Sequence, residues 1–386
     1  MEVRVVQRTL FNEDHVAFRE SAREFVGRTI APNVEKFIEQ RVIDRDVWLE
    51  AGRQGLLGLE IPEEYGGSGA NDYRFNAVFA EELCRVNAAV ASSLGIHGDV
   101  VAPYLVDLCT EEQKQRWLPG MCTGELKTGI AMTEPSGGSD LAALKTTAVR
   151  DGADWILNGS KTFITNGYTA DMIVVAARTD PSKGARGITL FAVETGMPGF
   201  ERGRKLDKVG QHPSDTAELF FSDVRLPAAN MIGEEGQGFI YMMERLPQER
   251  IGAAISNLAH AQGIFDETLE YVKERKAFGQ AIGRFQHNKF LLSELRTKLD
   301  VTQAFVDNLT MQHVRRELTA VEAAQAKYWS ADIENEVIDA CVQLHGGYGY
   351  MTEYRVARAW MDARVTKIWA GSNEIMKELI GRDLGL

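Results

Sequence analysis

Cysteine is scarce in this chain, with four residues in 386 and no CxxC pair among them. Without paired spacing there is no disulfide framework to predict, so we expect reduced, structural thiols in a cytosol-like compartment. The sequence also lacks a run of about 18 apolar residues, and we therefore predict no membrane span. The first residues show neither the apolar core of a signal peptide nor a basic, acid-poor transit segment. We expect a bacterial cytoplasm rather than a processed mitochondrial protein.

Positive charge is in deficit as well. The chain has 43 Lys and Arg against 55 Asp and Glu, which gives a formal net charge of −12 at pH 7. This balance argues against nucleic acid as a partner, because nucleic-acid binders usually carry a basic footprint. It leaves room for an anionic small ligand, which needs only a few local cations and backbone N–H groups.

Several signatures of catalytic and nucleotide-binding sites are missing. No GxGxxG follows a predicted strand, which argues against a Rossmann dinucleotide site, and there is no GxxxxGK[ST] phosphate loop. The GxSxG nucleophile elbow and the HExxH zinc motif are absent too. The seven histidines show no metal-ligand spacing, so we predict no metal site.

Hydrophobic patterning divides the chain into three parts, and 386 residues are too many for a single core. We predict an α+β multidomain protein with an N-terminal all-α domain (1–126), a middle antiparallel β-domain (127–232) and a C-terminal domain like a four-helix bundle (233–386). Apolar residues at helical spacing indicate helices at 13–25, 46–54, 73–84, 87–95, 110–117, 249–274, 285–314, 320–344 and from 373. Period-two patterns indicate strands at 155–158, 172–177, 188–193 and 217–221, with turns at 151–152, 158–159 and 166–167, in a sandwich or barrel.

The chain is organised around a glycine-rich loop, Gly233–Phe239, that runs into a helix through Glu244–Arg250. Pro247 fits a helix only in its first turn or at a kink, so we place the helix start there. A buried face follows at helical spacing, formed by Ile251, Ile255, Leu258, Phe265, Leu269 and Val272. Glu249 lies off that face, over a strip with room for a ligand, formed by Gly252, Ala253, Ser256 and His260. We interpret Glu249 as a catalytic base, and the alternative is an ordinary carboxylate in a first helical turn.

Residues 87–95 are almost all small, with the sequence Asn-Ala-Ala-Val-Ala-Ser-Ser-Leu-Gly. A helix with this composition can be approached closely from outside. It could form the wall of a narrow tunnel for an alkyl chain, or it could simply pack tightly against another helix. Both interpretations remain open at this point.

Two stretches of the β-domain could hold a ligand. Ala131–Asp140 is a tight turn whose exposed N–H groups suit an acceptor-rich ligand, although a plain surface turn fits as well. Phe163 and Thr165 lie two residues apart on one side of a predicted strand. An aromatic plate beside a hydroxyl is a plausible seat for a flat heteroaromatic ring, and an ordinary exposed strand explains the pattern equally well.

Three stretches of the C-terminal part could bind the rest of such a ligand. Glu274–Gly279 ends a helix, with its glycine as the predicted C-cap. Within it, Arg275 could bind a phosphate and Phe278 could cover a base, although charges at a helix end are often only solvated. Gln343–Gly349 offers close backbone approach. The loop Ile368–Ile375 leads into a helix whose N-terminus could face an anion.

Taken together, these stretches resemble the acyl-CoA dehydrogenases, and the resemblance covers essentially the whole chain. The matching signatures occur in the family's order: Met132–Pro135 with Gly138–Asp140, Gly159–Asn166, Arg275–Gly279, Gln343–Gly347 and Ala370–Ile375. Each is weak alone, but five in order across an α–β–α arrangement are specific. The resemblance implies an acyl-CoA dehydrogenase-like fold, FAD as the cofactor, and α,β-dehydrogenation of acyl-CoA thioesters to trans-2-enoyl-CoA, as in fatty-acid β-oxidation.

The same resemblance assigns roles to individual residues. It implies that Thr133, next to Met132, and Thr165 hydrogen-bond the isoalloxazine edge, while Phe163 packs against the ring. Ser139 would touch either the flavin phosphate or the pantetheine arm of the substrate. The ADP half of FAD would be held across a subunit interface by Arg275, Phe278, Gln286, Gln343 and Gly347. Two positions of the final loop match further cofactor contacts, Ser372 and Glu374.

Two partners follow from the resemblance besides the acyl-CoA substrate. Because sites are shared between subunits, it implies a homotetramer built as a dimer of dimers. The reduced flavin would then pass its electrons to an electron-transfer flavoprotein.

One departure from the family pattern bears on the base. Many members place the catalytic glutamate just before the Gly-Thr or Gly-Ser of the final loop, where this chain has Ala370. Long-chain and isovaleryl-CoA dehydrogenases carry it on the first helix of the C-terminal domain, before an arginine, and Glu249 with Arg250 matches that pattern. The surrounding sequence is most similar to the long-chain branch. The resemblance thus implies that Glu249 takes the α-proton while the β-hydride passes to flavin N5.

The resemblance also implies how the thioester carbonyl is held and what Arg250 does. The thioester carbonyl would be held by a ribityl hydroxyl and by a backbone N–H near Ala370, while Arg250 would orient the base or hold the CoA arm.

Within the family, the alternative is an isovaleryl or other branched-chain enzyme, or an enzyme for sterol side chains. An acyl-CoA oxidase fits less well, because oxidases usually carry extra C-terminal length. From another class, the chain could be a non-catalytic flavoprotein subunit. The presence of Glu249 and the FAD-contact positions in one chain argues against that.

Overall fold

The computed structural model describes residues 8–386, so the expectation about a signal or transit segment falls largely on residues outside the described part. The helices that precede the sheet are α1 Glu13–Phe25, α2 Val34–Gln40, α3 Arg45–Arg53, α4 Arg74–Cys84, α5 Ala88–Gly95, α6 Ala102–Leu108 and α7 Glu111–Thr123. Local capping fixes several of their starts. Asn12 and Thr110 each form a capping box, and the Asn87 side chain accepts two N–H bonds of α5. The predicted helix at 110–117 continues past Pro119 to Thr123.

A π-helical segment, Ile96–Val101, joins α5 to α6, so that 88–108 is one helical run. By length and composition alone this run could cross a membrane, with a mean hydropathy of 1.2. Much of it is packed inside the protein, however, and His97, Val101 and Tyr104 are fully buried. A buried core helix can have the same length and composition, so this run is weak evidence for a membrane span. π-helical segments are frequent at functional sites.

The middle of the chain forms one sheet. Its strands are β1 Thr128–Ala131, β2 Thr147–Asp151, β3 Asp154–Thr165, β4 Met172–Arg178, β5 Ile188–Glu194, β6 Phe200–Lys205, β7 Thr216–Leu226 and β8 Met231–Ile232. The order is β6-β7-β3-β2-β4-β5-β8, and β1 also pairs with β4. The β1–β4 and β2–β4 ladders are parallel, which corrects the prediction of a purely antiparallel domain. Parallel neighbours need long connections, and short-range turn signals do not reveal them.

Both faces of the sheet are covered, which explains the continuous apolar run of β4. Met172, Val174 and Ala176 pack with residues of α6 and α7. The alternate residues of β4 pack on the other face with Trp155, Phe191 and Leu219. The strands therefore form one sheet around this second cluster, with β6 and β8 at its ends.

The predicted turn at 158–159 is wrong, because both residues lie inside β3. The ladder between β3 and β7 shifts register between Leu157 and Gly159. A Cβ on Gly159 would lie 2.6 Å from Thr146 Oγ1, and the residue has a φ of 143°. The glycine thus marks a close approach at a bulge, which gives the same sequence signal as a turn.

The C-terminal part consists of α8 Gly238–Glu274, α9 Gln286–Val314, α10 Ala320–His345, α11 Arg355–Ala363 and α12 Asn373–Asp383. A short hairpin, β9 Lys276–Ala277 and β10 Gln280–Ala281, separates α8 from α9. Gly279 is therefore not a helix C-cap, since α8 ends at Glu274 and its C-cap is Arg275. Phe278 and Gly279 instead form the two-residue turn, with φ values of 49° and 82°, as a type I′ hairpin requires.

Candidate active site

A cavity of about 250 Å³ lies between α4, α5 with its π segment, α8 and residues 369–370 of the final loop. Much of its lining is apolar or small: Leu56, Leu57, Leu59, Phe79, Leu83, Ala88, Ala91, Ser92, Gly95, Gly252 and Ala253. The small residues of α5 divide between two environments. Ala88 and Ala91 border the cavity, while Ala89 and Val90 pack into the core without exposure.

Contacts between the lining helices locate two parts of the cavity wall. Asn76 of α4 donates to Asp99 Oδ1 at 3.2 Å, and a Cβ on Gly252 would lie 2.6 Å from Asp99 Oδ2. About one helical turn further along α8, Ser256 lies beside Cys84 of α4. Glu249 and Gly252 line the cavity, as does Ala88 at the start of α5.

Glu249 lies inside α8, well after its start at Gly238, which corrects the prediction of a first-turn carboxylate. Pro247 is accommodated within this helix, although it cannot donate to the preceding turn. The wheel prediction holds for Gly252, Ala253 and Ser256, which line the cavity with Glu249. It is wrong for His260, which is buried and pairs with Glu334 at 2.7 Å instead. A dipole-stabilised carboxylate at a helix end is therefore not the explanation for Glu249.

The cavity changes the acidity of Glu249. Burial raises the pKa of this carboxyl to about 7, with Tyr104 and Arg250 acting in the opposite direction and Asp99 adding to the rise. Tyr104 of α6 donates its hydroxyl hydrogen to Glu249 Oε1 at 3.3 Å. The half-buried carboxyl borders the cavity, so a ligand there can reach it. A carboxylate with a pKa near neutrality suits proton abstraction.

The final loop meets α8 and α10 beside Glu249. Ala370 lines the cavity and has a φ of 51°, a conformation that non-glycine residues rarely adopt. Lys327 Nζ holds the loop by donating to the carbonyl of Gly371 at 2.5 Å. Arg250 is 5% exposed, and its Nε has no hydrogen-bond partner in residues 8–386. A buried N–H of this kind has unused capacity for an acceptor.

The two β-domain stretches lie against each other. The carbonyl of Thr133 accepts the N–H of Thr162 at 3.0 Å, which places the turn after β1 beside the end of β3. Thr165 lines the cavity, while Phe163 is 68% exposed with a φ of 61°. An exposed aromatic ring in the left-handed region is a costly arrangement that clusters at ligand sites. Ser139 is exposed and Met132 half-buried on the same turn.

A buried ion pair anchors this turn, and sequence spacing did not reveal it. Lys161 Nζ lies 2.9 Å from Glu134 Oε1, and both side chains are almost fully buried. Glu134 also accepts the N–H groups of Lys145 and Thr146. Burial raises the pKa of Glu134, but these bonds outweigh burial and lower it to about 2. Burial lowers the pKa of Lys161 to about 8, so both groups are charged near neutrality.

We expect Lys161→Met to destabilise the protein by about 3 to 5 kcal/mol, because it leaves the Glu134 carboxylate buried without its cation. The double variant Lys161→Met with Glu134→Leu should recover much of that loss, since it removes both charges. Thermal unfolding of the two variants and the wild type, followed by circular dichroism, measures the difference. A single variant as stable as the wild type would contradict the assignment of this pair as an anchor.

A second concavity, of about 520 Å³, lies at the C-terminal ends of α8 and α10. It brings together Arg275, Gln343 and Gly347, and the Arg275 guanidinium lies 5.4 Å from the centre of the Tyr348 ring. Phe278 is 96% exposed at the hairpin tip, and Gln286 is exposed at the first position of α9. Neither lines this concavity, and the concavity shares no residue with the cavity at Glu249.

The remaining predicted contacts, Ser372 and Glu374, lie at the start of α12. Ser372 is its N-cap and accepts the N–H of Ile375 at 3.4 Å. Glu374 is exposed in the first helical turn. A backbone hydrogen bond and the Ser372 hydroxyl lower the pKa of its carboxyl. The structure thus gives Ser372 a capping role and leaves Glu374 open to solvent in this chain.

Comparison with known proteins decides the family. The family models of the acyl-CoA dehydrogenase N-terminal, middle and C-terminal domains match residues 12–125, 129–224 and 236–385. The chain belongs to the acyl-CoA dehydrogenase family. It is 46% identical to the long-chain specific acyl-CoA dehydrogenase of Sus scrofa, over 98% of this chain and 88% of that protein. Identity to isovaleryl-CoA dehydrogenase of Solanum tuberosum is 36%, over 97% and 91%.

A solved structure agrees with this assignment. An acyl-CoA dehydrogenase from Geobacillus kaustophilus superposes with a TM-score of 0.96 at 46% identity, covering 98% of this chain and all of that one. This acyl-CoA dehydrogenase is accordingly an FAD-dependent oxidoreductase with the family's three-part architecture. The predictions of the family, the fold class, the enzyme class and the cofactor are confirmed.

The residues of this acyl-CoA dehydrogenase fit FAD on their own chemistry. Thr165 and the backbone near Thr133 offer hydrogen-bonding groups beside the exposed ring of Phe163. The separate concavity at Arg275 provides a cation beside exposed backbone at Gly347, which suits a phosphate-bearing group. We therefore find no conflict between the site and the cofactor.

Sequence reasoning missed several residues of the site. Tyr104 contacts Glu249 from 145 positions away, and Asp99 contacts the neighbouring Gln248 from 149 positions away. Gln211 and Thr366 line the same cavity. Asp99 and Tyr104 lie in a largely apolar stretch of sequence. A single acid or tyrosine in such a stretch gives no distinct signal of a functional site.

Proposed function

We propose that this chain oxidises long-chain acyl-CoA thioesters at the α and β carbons, with Glu249 as the base that removes the α-proton. A bound FAD would supply the acceptor for the hydride that leaves the β carbon, at flavin N5. The observation that carries the proposal is the position of Glu249 in the apolar cavity that Thr165 and Ala370 also line, with a pKa raised to about 7 by burial. The α-proton of a thioester is weakly acidic, and a desolvated carboxylate is the kind of base that can take it.

The other groups of the cavity support the same reaction. Ala370 keeps a backbone N–H where other family members carry the glutamate, and we assign that N–H to the thioester carbonyl as the enolate charge develops. Arg250 is buried beside Gly371 and is available to orient the base or to hold the CoA arm. We assign Met132, Thr133, Phe163 and Thr165 to the isoalloxazine, and Ser139 to a phosphate or the pantetheine arm.

Subunit sharing is the remaining part of the proposal. Within one chain, the concavity at Arg275 shares no lining residue with the cavity at Glu249, and a cofactor site shared between two copies would account for this separation. We propose a homotetramer in which Arg275, Phe278, Gln286, Gln343 and Gly347 hold the ADP half of a neighbour's FAD, with Ser372 and Glu374 nearby. Electron-transfer flavoprotein is the proposed acceptor, a bacterial cytoplasm the proposed location, and 1–126, 127–232 and 233–386 the proposed domains.

The test of substrate class is an anaerobic titration. Palmitoyl-CoA, and separately isovaleryl-CoA, are added to purified enzyme while the flavin absorbance is followed. Fast bleaching by palmitoyl-CoA and little by isovaleryl-CoA supports the long-chain assignment. The reverse preference transfers the proposal to the branched-chain branch, to which the identity with isovaleryl-CoA dehydrogenases also points. If neither bleaches the flavin, a non-catalytic flavoprotein subunit becomes the better description.

The acidity of Glu249 predicts a pH dependence. The base works only when it is ionised, and its pKa is raised to about 7, so kcat/KM should rise with pH through about 7 and then level off. Because kcat/KM reports groups of the free enzyme, stopped-flow flavin reduction between pH 5.5 and 9 measures this limb directly. A flat profile over this range, as expected for a glutamate with the ordinary pKa of about 4.3, would contradict the raised pKa.

A further inference from the structure

Beside Glu249 lies a polar cluster that binding an alkyl chain does not require. We define the carboxyl cluster as Glu60, Tyr73, Asn76, Asp99 and Gln248, of which Tyr73 and Asn76 are buried and the others half-buried. Tyr73 donates its hydroxyl hydrogen to Asp99 Oδ2 at 2.9 Å. Asn76 Nδ2 donates to Glu60 Oε2 at 3.1 Å and to Asp99 Oδ1 at 3.2 Å. These bonds offset the cost of removing the polar groups from water.

The cluster touches α8 on both sides of Glu249 in the sequence. Gln248 Nε2 donates to Asp99 Oδ1 at 3.3 Å and to Glu60 Oε2 at 3.3 Å. Three residues after Glu249, a Cβ on Gly252 would lie 2.6 Å from Asp99 Oδ2. Side chains three apart share one face of a helix. The absence of a side chain at Gly252 therefore gives Asp99 its place beside the turn that carries Glu249.

Burial raises the pKa of both carboxyl groups of the cluster. The pKa of Asp99 rises to about 6. Burial, followed by the nearby charge of Asp99, raises the pKa of Glu60 to about 7. The charge of Asp99 therefore opposes ionisation of Glu60 as it opposes ionisation of Glu249. No lysine or arginine forms an ion pair with either carboxylate in the described part of the chain.

Other charged or titratable groups also face Glu249. Tyr104 reaches it from α6, and Arg250 follows it on its own helix. Beyond Tyr104, Arg245 pairs with Asp107 at 2.7 Å. Tyr104 and Arg250 favour the ionised carboxylate, whereas Asp99 opposes ionisation. The basicity of Glu249 thus depends on neighbouring groups that shift its pKa in opposite directions.

We propose that Asp99 is a positioning residue for proton abstraction, because its carboxylate, beside the Glu249 turn, strengthens Glu249 as a base. This inference rests on the proposed role of Glu249. In this proposal Asp99 does not contact the reacting atoms. Its negative charge raises the pKa of Glu249 through space, whereas the Tyr104 hydrogen bond lowers that pKa.

The experiment compares pH profiles of flavin reduction by palmitoyl-CoA in four variants of the FAD-loaded enzyme. Asp99→Asn keeps the shape and the Tyr73 contact but removes the charge. We expect its kcat/KM limb to move to lower pH by about one unit and the plateau rate to fall roughly threefold, because a weaker base follows Brønsted behaviour. Tyr104→Phe should move the limb to higher pH. Tyr73→Phe, which removes the donor to Asp99, should shift it as Asp99→Asn does, but less.

The fourth variant, Glu39→Gln, removes one negative charge from an exposed position and should reproduce the wild-type limb. FAD content and melting temperature are measured for each variant, since a merely structural role would change these and leave the midpoint of the limb in place. Wild-type midpoints in both Asp99→Asn and Tyr73→Phe, with Glu249→Gln inactive, would overturn the inference and leave the proposed function standing. An active Glu249→Gln would overturn the proposed function, and the inference with it.

Discussion

Replacing Glu249 with glutamine is expected to slow flavin reduction by acyl-CoA by about 10² to 10⁴-fold, the usual contribution of a positioned general base. Glutamine has the same shape and can still accept the Tyr104 hydrogen bond, which is 3.3 Å in the wild type. The cavity should therefore keep its form, and the loss should fall on the chemical step. Anaerobic stopped-flow absorbance measures the rate, and titration with a non-reacting thioester measures binding.

The matched control for this variant is Glu244→Gln, which changes an exposed carboxylate on the same helix. It should bind FAD and reduce at the wild-type rate. Both variants should purify with the same flavin absorbance per chain. A wild-type-like rate in Glu249→Gln would remove this residue from the role of base. Loss of FAD from Glu249→Gln would show that the substitution had disturbed the site instead.

Local signals were sufficient wherever an element is fixed by its own residues. α1 spans Glu13–Phe25 as predicted, because Asn12 forms a capping box just before an apolar helical face. The small strip beside Glu249 was likewise readable from the helical wheel, since the strip and the base share one face of α8. Such predictions need only the period of the helix and the chemistry of its ends.

Predictions failed where one local sequence signal fits several structures and a long-range contact selects among them. Pro247 is typical of a helix start, yet α8 continues through it, because packing of the helix outweighs one missing hydrogen bond. The sequence predicts a helix C-cap at Gly279 and a turn at Gly159, but Gly279 lies in a hairpin turn and Gly159 at a bulge beside Thr146. A glycine announces an unusual backbone or a close approach, and the sequence does not say which.

The candidate active site shows the same division. Glu249 is proposed as the base because the resemblance to the family puts Ala370 where many members carry glutamate. Asp99 and Tyr104 were not predicted because their importance lies in what they face across the fold. A carboxylate's acidity depends on such neighbours more than on its own surroundings in sequence. Sequence and resemblance can therefore propose a base, but the structure is needed to explain why burial raises the pKa of Glu249 to about 7.

The second large effect concerns chain length, and we expect it from Ala88→Phe. Ala88 is the first residue of α5 and lines the cavity, as do Cys84 and Ser256. On the proposed long-chain role, a phenyl ring there would fill space that the acyl chain of palmitoyl-CoA occupies. Losing burial of two or more methylenes costs about 0.8 kcal/mol each, so kcat/KM for palmitoyl-CoA should fall about tenfold or more.

Short substrates distinguish this effect from general damage, because the acyl chain of butyryl-CoA would be too short to reach Ala88. Its kcat/KM should be unchanged in Ala88→Phe. The matched control is Ala320→Phe, which places the same ring at the exposed first residue of α10 and should alter neither substrate. An equal fall for both thioesters would mean that α5 had shifted at the reacting end. An unchanged rate with palmitoyl-CoA would mean that the acyl chain takes another path, and the long-chain role of this cavity would then be wrong.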